Sequence, residues 1–265
     1  MMPPTFFRRL LLRRFGREMP NPRALQWLRG LWRGKRCFVI GNGPSLRVAD
    51  LERISAAGYH TIASNKIYLC FEETQWRPDF YTVADWCVAE NNQDVIRELP
   101  LLKLFPYELE KYFSSDKNAQ GRSIFYRQFV PERVNDQDYG SYFFDDFCDQ
   151  AFVGETITNL NIQLALYLGA KEVYLLGIDG KYQSSNRTSP HPHYQEVFVS
   201  DGEINHFHPN YRKPGETWSI PRPEAHERNY TKCLSELRKR GVTLANATPG
   251  TAVKSLPLID LEDLI

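Results

Sequence analysis

The sequence predicts an α/β protein with a doubly wound parallel sheet, and three observations carry that prediction. Short apolar runs, the pattern of strands buried on both faces, occur at 37–40, 60–64, 80–84 and 171–176. Two of these runs end in glycine-containing turns, Gly41-Asn42-Gly43 and Gly177-Ile178-Asp179-Gly180. Helical spacing fills the intervals: Leu160 to Leu168 closes at Gly169, and Ala225 to Arg240 closes at Gly241.

At 265 residues the chain can bury a full core as one large domain or two small ones. Thirty-three basic residues balance 32 acidic ones, so the net charge of +1 gives no argument for nucleic acid as a partner. Five cysteines, at 37, 70, 87, 148 and 233, include no C-x-x-C pair and read as buried thiols in a reducing compartment. No apolar stretch reaches the length of a membrane span.

Charge is nevertheless uneven. Residues 1–36 hold ten arginines and lysines against the single acid Glu18, interleaved with Phe6, Phe7, Leu10, Leu11, Leu12, Phe15, Trp27 and Trp32. Arginines interrupt every apolar run there, which excludes a signal peptide. Residues 1–35 therefore read as a basic amphipathic helical extension suited to an anionic membrane surface, or else as ordinary helices packed on the domain. Residues 36–265 read as the sheet domain.

The first strand, Cys37-Phe38-Val39-Ile40, runs into Gly41-Asn42-Gly43, where the backbone can approach a ligand closely. Pro44 suits the first turn of a helix, and Ser45 adds a hydroxyl there. Glycines leading into a helix N-terminus make an anion site, and equally a tight turn that binds nothing. Leu46 stands where a dinucleotide fingerprint has its third glycine, and Asn65 stands where it has a carboxylate. An amide both donates and accepts, which favours a nucleotide other than NAD.

Further along, Phe80 to Ala84 is a strand, with Asp85 at its carboxyl end as a site residue or a helix N-cap. Strands at 101–105 and 123–126 follow. Asp136-Gln137-Asp138 has metal-binding D-x-D spacing without a strand to frame it, and reads as a solvated loop. Thr156, Thr158 and Asn159 precede or open the next helix and offer hydroxyls and an amide to an anion, or simply cap it. Residues 181–222, rich in Pro, His and Tyr, are too long for a connection and read as a lid or a disordered loop. Their His191-Pro192-His193 and His206-Phe207-His208 pairs match no common zinc site, so no metal is expected. A last helix and a strand at 242–245 complete the sheet, with the tail from Leu256 set against its edge.

The combination of Gly41-Asn42-Gly43-Pro44-Ser45-Leu46, Asn65 and Leu168 through Asp179 resembles the bacterial CMP-sialic acid sialyltransferases. It resembles still more closely the motility accessory factor and hydroxymethylpterin-diphosphokinase-like proteins, through Pro78 to Asp85, Asn205 to Tyr211 and Asn246 to Gly250. The resemblance spans about residues 36–250. It implies a Rossmann-like fold, a nucleotide held by Gly41, Asn42, Gly43, Pro44, Ser45 and Asn65, and a phosphate near Thr158 and Asn159 with Gly177 and Asp179 close by. It implies a histidine base and no metal, because CMP leaves with a single phosphate. Histidine spacing departs from the sialyltransferases, and Thr158-Asn159 replaces their Thr-Ser pair.

Three functions follow. The first is transfer of an acidic sugar, sialic-acid-like or Kdo-like, from a CMP-activated donor to a bacterial surface glycan, without a separate cofactor, in the cytoplasm or at the inner membrane. The second is magnesium-dependent pyrophosphate transfer from ATP to a pterin. The third is a non-catalytic nucleotide- or glycan-binding module at the membrane. For the base, a group titrating near neutrality is needed. His206 leads because Asn205 beside it can orient the ring, followed by His208 and then His226 at the start of a helix. His60, in a strand start, reads as structural.

Overall fold

The computed structural model describes residues 21–114, 121–131 and 142–265. The strands are β1 (Arg36–Ile40), β2 (His60–Ser64), β3 (Phe80–Thr82), β4 (Leu102–Pro106), β5 (Arg122–Tyr126), β6 (Glu172–Leu176), β7 (Arg187–His191), β8 (Tyr194–Val199), β9 (Thr217–Ser219) and β10 (Thr243–Asn246). The helices are α1 (Asn21–Leu28), α2 (Val48–Ala56), α3 (Trp86–Glu98), α4 (Glu110–Phe113), α5 (Ile157–Tyr167) and α6 (Pro223–Lys239).

Seven strands form one sheet in the order β10-β6-β1-β2-β3-β4-β5, all parallel in their pairings. The alternation of side chains along β1 divides the core in two. Cys37 and Val39 face a layer built from α1, α5 and α6, including Leu28, Trp32, Leu160 and Leu237. Phe38 and Ile40 face α2 and α3 through Leu51, Ile54, Ala89 and Ile96. Helices on both faces of a parallel sheet give a Rossmann-like, doubly wound architecture. The tail follows the sheet edge as expected: Asn246 bridges Leu258 beside β10, and Leu261 and Leu264 are buried.

The structure corrects the sequence reading at Pro44 and adds to it elsewhere. Pro44 is exposed and lies outside any helix, which begins only at Val48. The glycine turn is bonded across to the end of β6, Gly41 N to Leu176 O at 2.7 Å and Gly43 N to Gly177 O at 2.9 Å, so it cannot wind directly into α2. Residues 181–222, read as a lid or a disordered loop, contain an ordered three-stranded antiparallel sheet, β7-β8-β9. That sheet docks on α3: His193 stacks on Trp86 at 3.5 Å, His191 Nε2 meets Glu90 at 3.1 Å, and Asn91 Nδ2 donates to Thr217 O. Residues 21–35 follow the second alternative for the extension and pack on the domain, because Ala24, Leu25, Leu28 and Trp32 are core side chains and His60 stacks on Trp32. The remaining basic residues of the extension, and Asp136-Gln137-Asp138, lie outside the described residues. No helix among the described residues is long and apolar enough to cross a membrane.

Candidate functional site

The strand order reverses at β1, which sends α2 towards β2 on one side and receives β6 on the other. Registers Ile40 to Ala63 and Ile40 to Leu176 bring the carboxyl ends of β2, β1 and β6 to one level. Ligands of open parallel sheets bind in the crevice at such a point. A cleft of about 540 Å³, counting its open mouth, occupies it here.

Glycines make the floor possible. A Cβ on Gly41 would lie 2.4 Å from the Gly177 carbonyl oxygen, and one on Gly43 would lie 1.9 Å from Asp179 Oδ2. Asp179 therefore sits against the first glycine turn, accepting a hydrogen bond from Ser45 Oγ at 2.8 Å. Ser45 acts through Asp179. The carboxylate makes this end of the cleft a place for hydroxyl or amino donors rather than for a free anion.

The opposite wall has the reverse character. Thr156, Ile157 and Thr158 open the first turn of α5 onto the cleft. Thr156 caps the helix by accepting from Thr158 N at 3.3 Å. The positive end of the helix dipole favours an anion there, although the Thr158 and Asn159 N–H groups already donate to Thr156. Asn159 does not take part: its Nδ2 donates to Phe152 O and Val153 O, and its Oδ1 accepts from Cys233 Sγ. One residue along the helix separates a cleft-lining threonine from a core amide.

Asn42 and Asn65 line the cleft on the β2 side. Asn42 Nδ2 donates to Ser64 O at 3.1 Å and ties the two strand ends together, leaving its Oδ1 buried without a partner. Asn65 stands at φ 54°, a left-handed conformation that asparagine tolerates, with its carbonyl held by the Tyr81 hydroxyl. Asn65 Oδ1 is also buried and unpartnered. Buried polar atoms in native proteins find partners, so two such acceptors mark where a ligand's hydroxyl or amino groups would bind.

The roof is the segment Asn205 to Tyr211. Phe207 N donates to Asn42 O at 3.0 Å and closes it over the glycine turn. Of the three candidate histidines, only His206 lines the cleft, its ring stacked on Tyr211 at 3.6 Å and 2°. Burial, then the nearby Arg212 and Lys66 charges, push its imidazolium well below the ordinary value, and its Nδ1 has no partner. His208 Nδ1 caps the short turn Pro209–Tyr211 by accepting from Asn210 N, and His208 does not line the cleft. His226 is buried in α6 behind Tyr182, with 3.4 Å between Nδ1 and the tyrosine oxygen. Asn205 does not orient the His206 ring: both ends of its amide bond the Gln183 backbone.

Asp85 is the helix N-cap, and it does not line this cleft. It caps α3 by accepting from Val88 N at 2.9 Å, receives the Tyr194 hydroxyl at 3.2 Å, and lines a neighbouring chamber. Sequence reasoning missed Lys181, Tyr182, Tyr211 and Tyr230 on the cleft wall. Lys181 directly follows the second glycine turn and could have been found by extending it. The tyrosines carried no signal among the fourteen in the chain. No group of three or more His, Cys, Asp or Glu side chains with metal-binding geometry occurs among the described residues.

These buried neutral imidazoles make the fold acid-sensitive. The folded values of His206 and His226 lie below the unfolded value of about 6.5, so the unfolded chain binds more protons as pH drops. Their contribution to stability is intact above about pH 6.5 and is lost as pH falls towards 4. His226, pushed down to about 4 by burial, corresponds to about 3 kcal/mol over that window. Melting curves between pH 7 and 4 check this: the midpoint should fall with pH, less steeply in His226→Gln. An unchanged slope in the variant would remove His226 from the explanation.

Comparison with known proteins fits this architecture. A family model described as 6-hydroxymethylpterin diphosphokinase MptE-like matches residues 16–185. The structure of MAf glycosyltransferase from Magnetospirillum magneticum AMB-1 superposes with a TM-score of 0.50 at 15% identity, a likeness of fold alone. That match covers 91% of this chain, which spans only 38% of the other. No curated protein matches the sequence. With both glycine turns, Asn65 and the N-terminus of α5 inside the matched span, the chain belongs to the 6-hydroxymethylpterin diphosphokinase MptE-like family.

Proposed function

We propose that the chain is a nucleotide-dependent glycosyltransferase that moves an acidic sugar from a CMP-activated donor to a glycan acceptor. One observation carries this reading: the cleft sets a helix N-terminus suited to a single phosphate across from one carboxylate, Asp179, and one neutral histidine, His206. The phosphate of the donor sits at Thr156 to Thr158, where the helix dipole stabilises it as CMP leaves. Asn42 Oδ1 and Asn65 Oδ1 accept from the nucleoside. His206 takes the proton of the attacking hydroxyl; it is neutral at working pH, and the same depression makes it a weaker base than one titrating near neutrality. The fold shared with MAf glycosyltransferase is compatible with this chemistry.

The family description favours a second reading, pyrophosphate transfer from ATP to a pterin. A triphosphate with magnesium calls for several oxygen ligands, and among the described residues Asp179 is the one acid on the cleft lining. Calorimetry with CMP and with ATP, each in EDTA and in Mg²⁺, separates the two. Under the first reading CMP binds equally in EDTA and Mg²⁺, and CMP is released from an acidic-sugar donor in EDTA. Magnesium-dependent consumption of ATP would replace it with the second. CMP binding without turnover of any donor would leave a binding module.

A further inference from the structure

Behind the His206–Tyr211 stack lies a second chamber, about 420 Å³ with its opening, between α3, the segment Asn65 to Cys70 and the three-stranded sheet. Asn65, His206 and Tyr211 line both this chamber and the nucleotide cleft, so the stacked rings form a shared wall. Four buried polar atoms on its lining have no hydrogen-bond partner: Asn65 Oδ1, His206 Nδ1, Arg212 Nε and Trp218 Nε1. Such atoms are rare in native interiors, and four around one space call for a ligand.

Arg212 determines the sign of that ligand. Its side chain is 14% exposed, its guanidinium lies over the Trp218 ring at 3.8 Å, and its nearest acid is Glu203 Oε1, 3.9 Å from Nε. That is beyond hydrogen-bond range, so the buried Nε of this ion pair has no hydrogen-bond acceptor. The other cation, Lys66, is already used by Glu216 and by Tyr211 O. Asp85 is likewise engaged, by Val88 N and the Tyr194 hydroxyl. Apart from its long pairing with Glu203, the Arg212 charge is not engaged by a hydrogen bond at Nε; it is positive and planar, which suits a carboxylate or phosphate held by two parallel hydrogen bonds. Trp218 Nε1 and Asn65 Oδ1 add one donor and one acceptor, the pair a hydroxyl satisfies.

We propose that this chamber binds the second substrate, an anionic, hydroxyl-bearing molecule whose carboxylate or phosphate is held by Arg212. Its role as acceptor site rests on the transferase reading of the cleft; the anion site itself does not. A hydroxyl of this ligand reaches the shared wall at His206 from the side opposite the nucleotide.

The test titrates the full chain with D-glucuronate, D-glucose 6-phosphate and D-glucose by ligand-observed NMR, with and without saturating CMP. At least one anionic sugar should bind tenfold or more tightly than glucose, a gap of about 1.4 kcal/mol. Glucuronate binding more tightly assigns a carboxylate, and the 6-phosphate binding more tightly assigns a phosphate. Arg212→Met should lose at least that factor for the anionic sugars, Arg212→Lys should recover part of it, and CMP affinity should be the same in all three proteins. Equal binding of anionic sugars by wild type and Arg212→Met, or no preference over glucose, overturns the proposal. Anionic-sugar binding without CMP binding supports the site while removing the nucleotide reading of the cleft. Should Arg212→Met not fold, glucuronate quenching of tryptophan emission, present in wild type and reduced in Trp218→Phe, supports the site; equal or absent quenching overturns it.

Discussion

His206→Ala is expected to slow CMP release from an acidic-sugar donor by about a hundredfold or more, the usual scale for losing a general base. Affinity for free CMP should stay within a few-fold. The ring is held flat against Tyr211 and lines both compartments, with its Nδ1 buried and unpartnered. Burial and the Arg212 and Lys66 charges keep it neutral, so no proton has to leave before it can act. The pH profile follows from the same sign: a base depressed below its ordinary value stays active as pH falls through 7 and 6, so the rate should show no histidine-like loss there. Initial rates from pH 8 to 5.5 in wild type and variant make the measurement. Near-normal turnover in the alanine variant would hand the proton to Asp179, the other cleft group able to accept it.

Gly41→Ala should have the largest effect on stability. Its Cβ would meet the Gly177 carbonyl oxygen at 2.4 Å and carbon at 2.9 Å, as well as Ile178 Cδ1 at 2.3 Å. Side chains can turn aside, but two bonded strand ends cannot. Overpacking of this kind costs about 1–3 kcal/mol, and for a chain of this size each kcal/mol lowers the melting midpoint by about 2–4 °C. A fall of about 5–10 °C with loss of nucleotide binding is expected. Gly43→Ala should cost less, because its closest clash is with the Asp179 side chain, which can move, and its backbone clash with the Gly177 carbonyl oxygen is milder, at 2.8 Å. That variant should melt within a few degrees of wild type yet bind CMP poorly. A Gly41→Ala protein that melts normally would show that the turn can open away from β6.

Much of the sheet was legible because buried parallel strands must be apolar without alternation, and 37–40, 60–64 and 171–176 carry that mark with few competing patterns. Both glycine turns were legible for a related reason: only glycine fits where strand ends approach this closely. Pro44 misled because proline suits a helix start in general, while the bonds from Gly41 and Gly43 to β6 belong to residues about 130 positions away. The β7-β8-β9 sheet was hidden since its strands are half exposed and contain Pro190 and His191; contacts with Trp86, Glu90 and Asn91 on α3 hold them in place. Asn159 looked like its neighbour Thr158, and only the helix phase separates cleft lining from core. Nothing local distinguishes Arg212 from any other arginine, because its isolation is produced by what folds around it.

The bonding of the first glycine turn to β6 also governs the order in which the molecule can be assembled. β1 pairs on one side with β2, reached after a short helix, and on the other with β6, reached only after four further strands have been made. High sequence separation between partners slows folding, since loop-closure entropy is spent before the contact stabilises anything. During synthesis the N-terminal strands emerge first, and until β6 arrives β1 presents an unpaired, apolar edge at what will become the centre of the sheet. Such an edge is a template for pairing with another chain. The ligand cleft, which needs both strand ends, is therefore among the last parts of the molecule to exist.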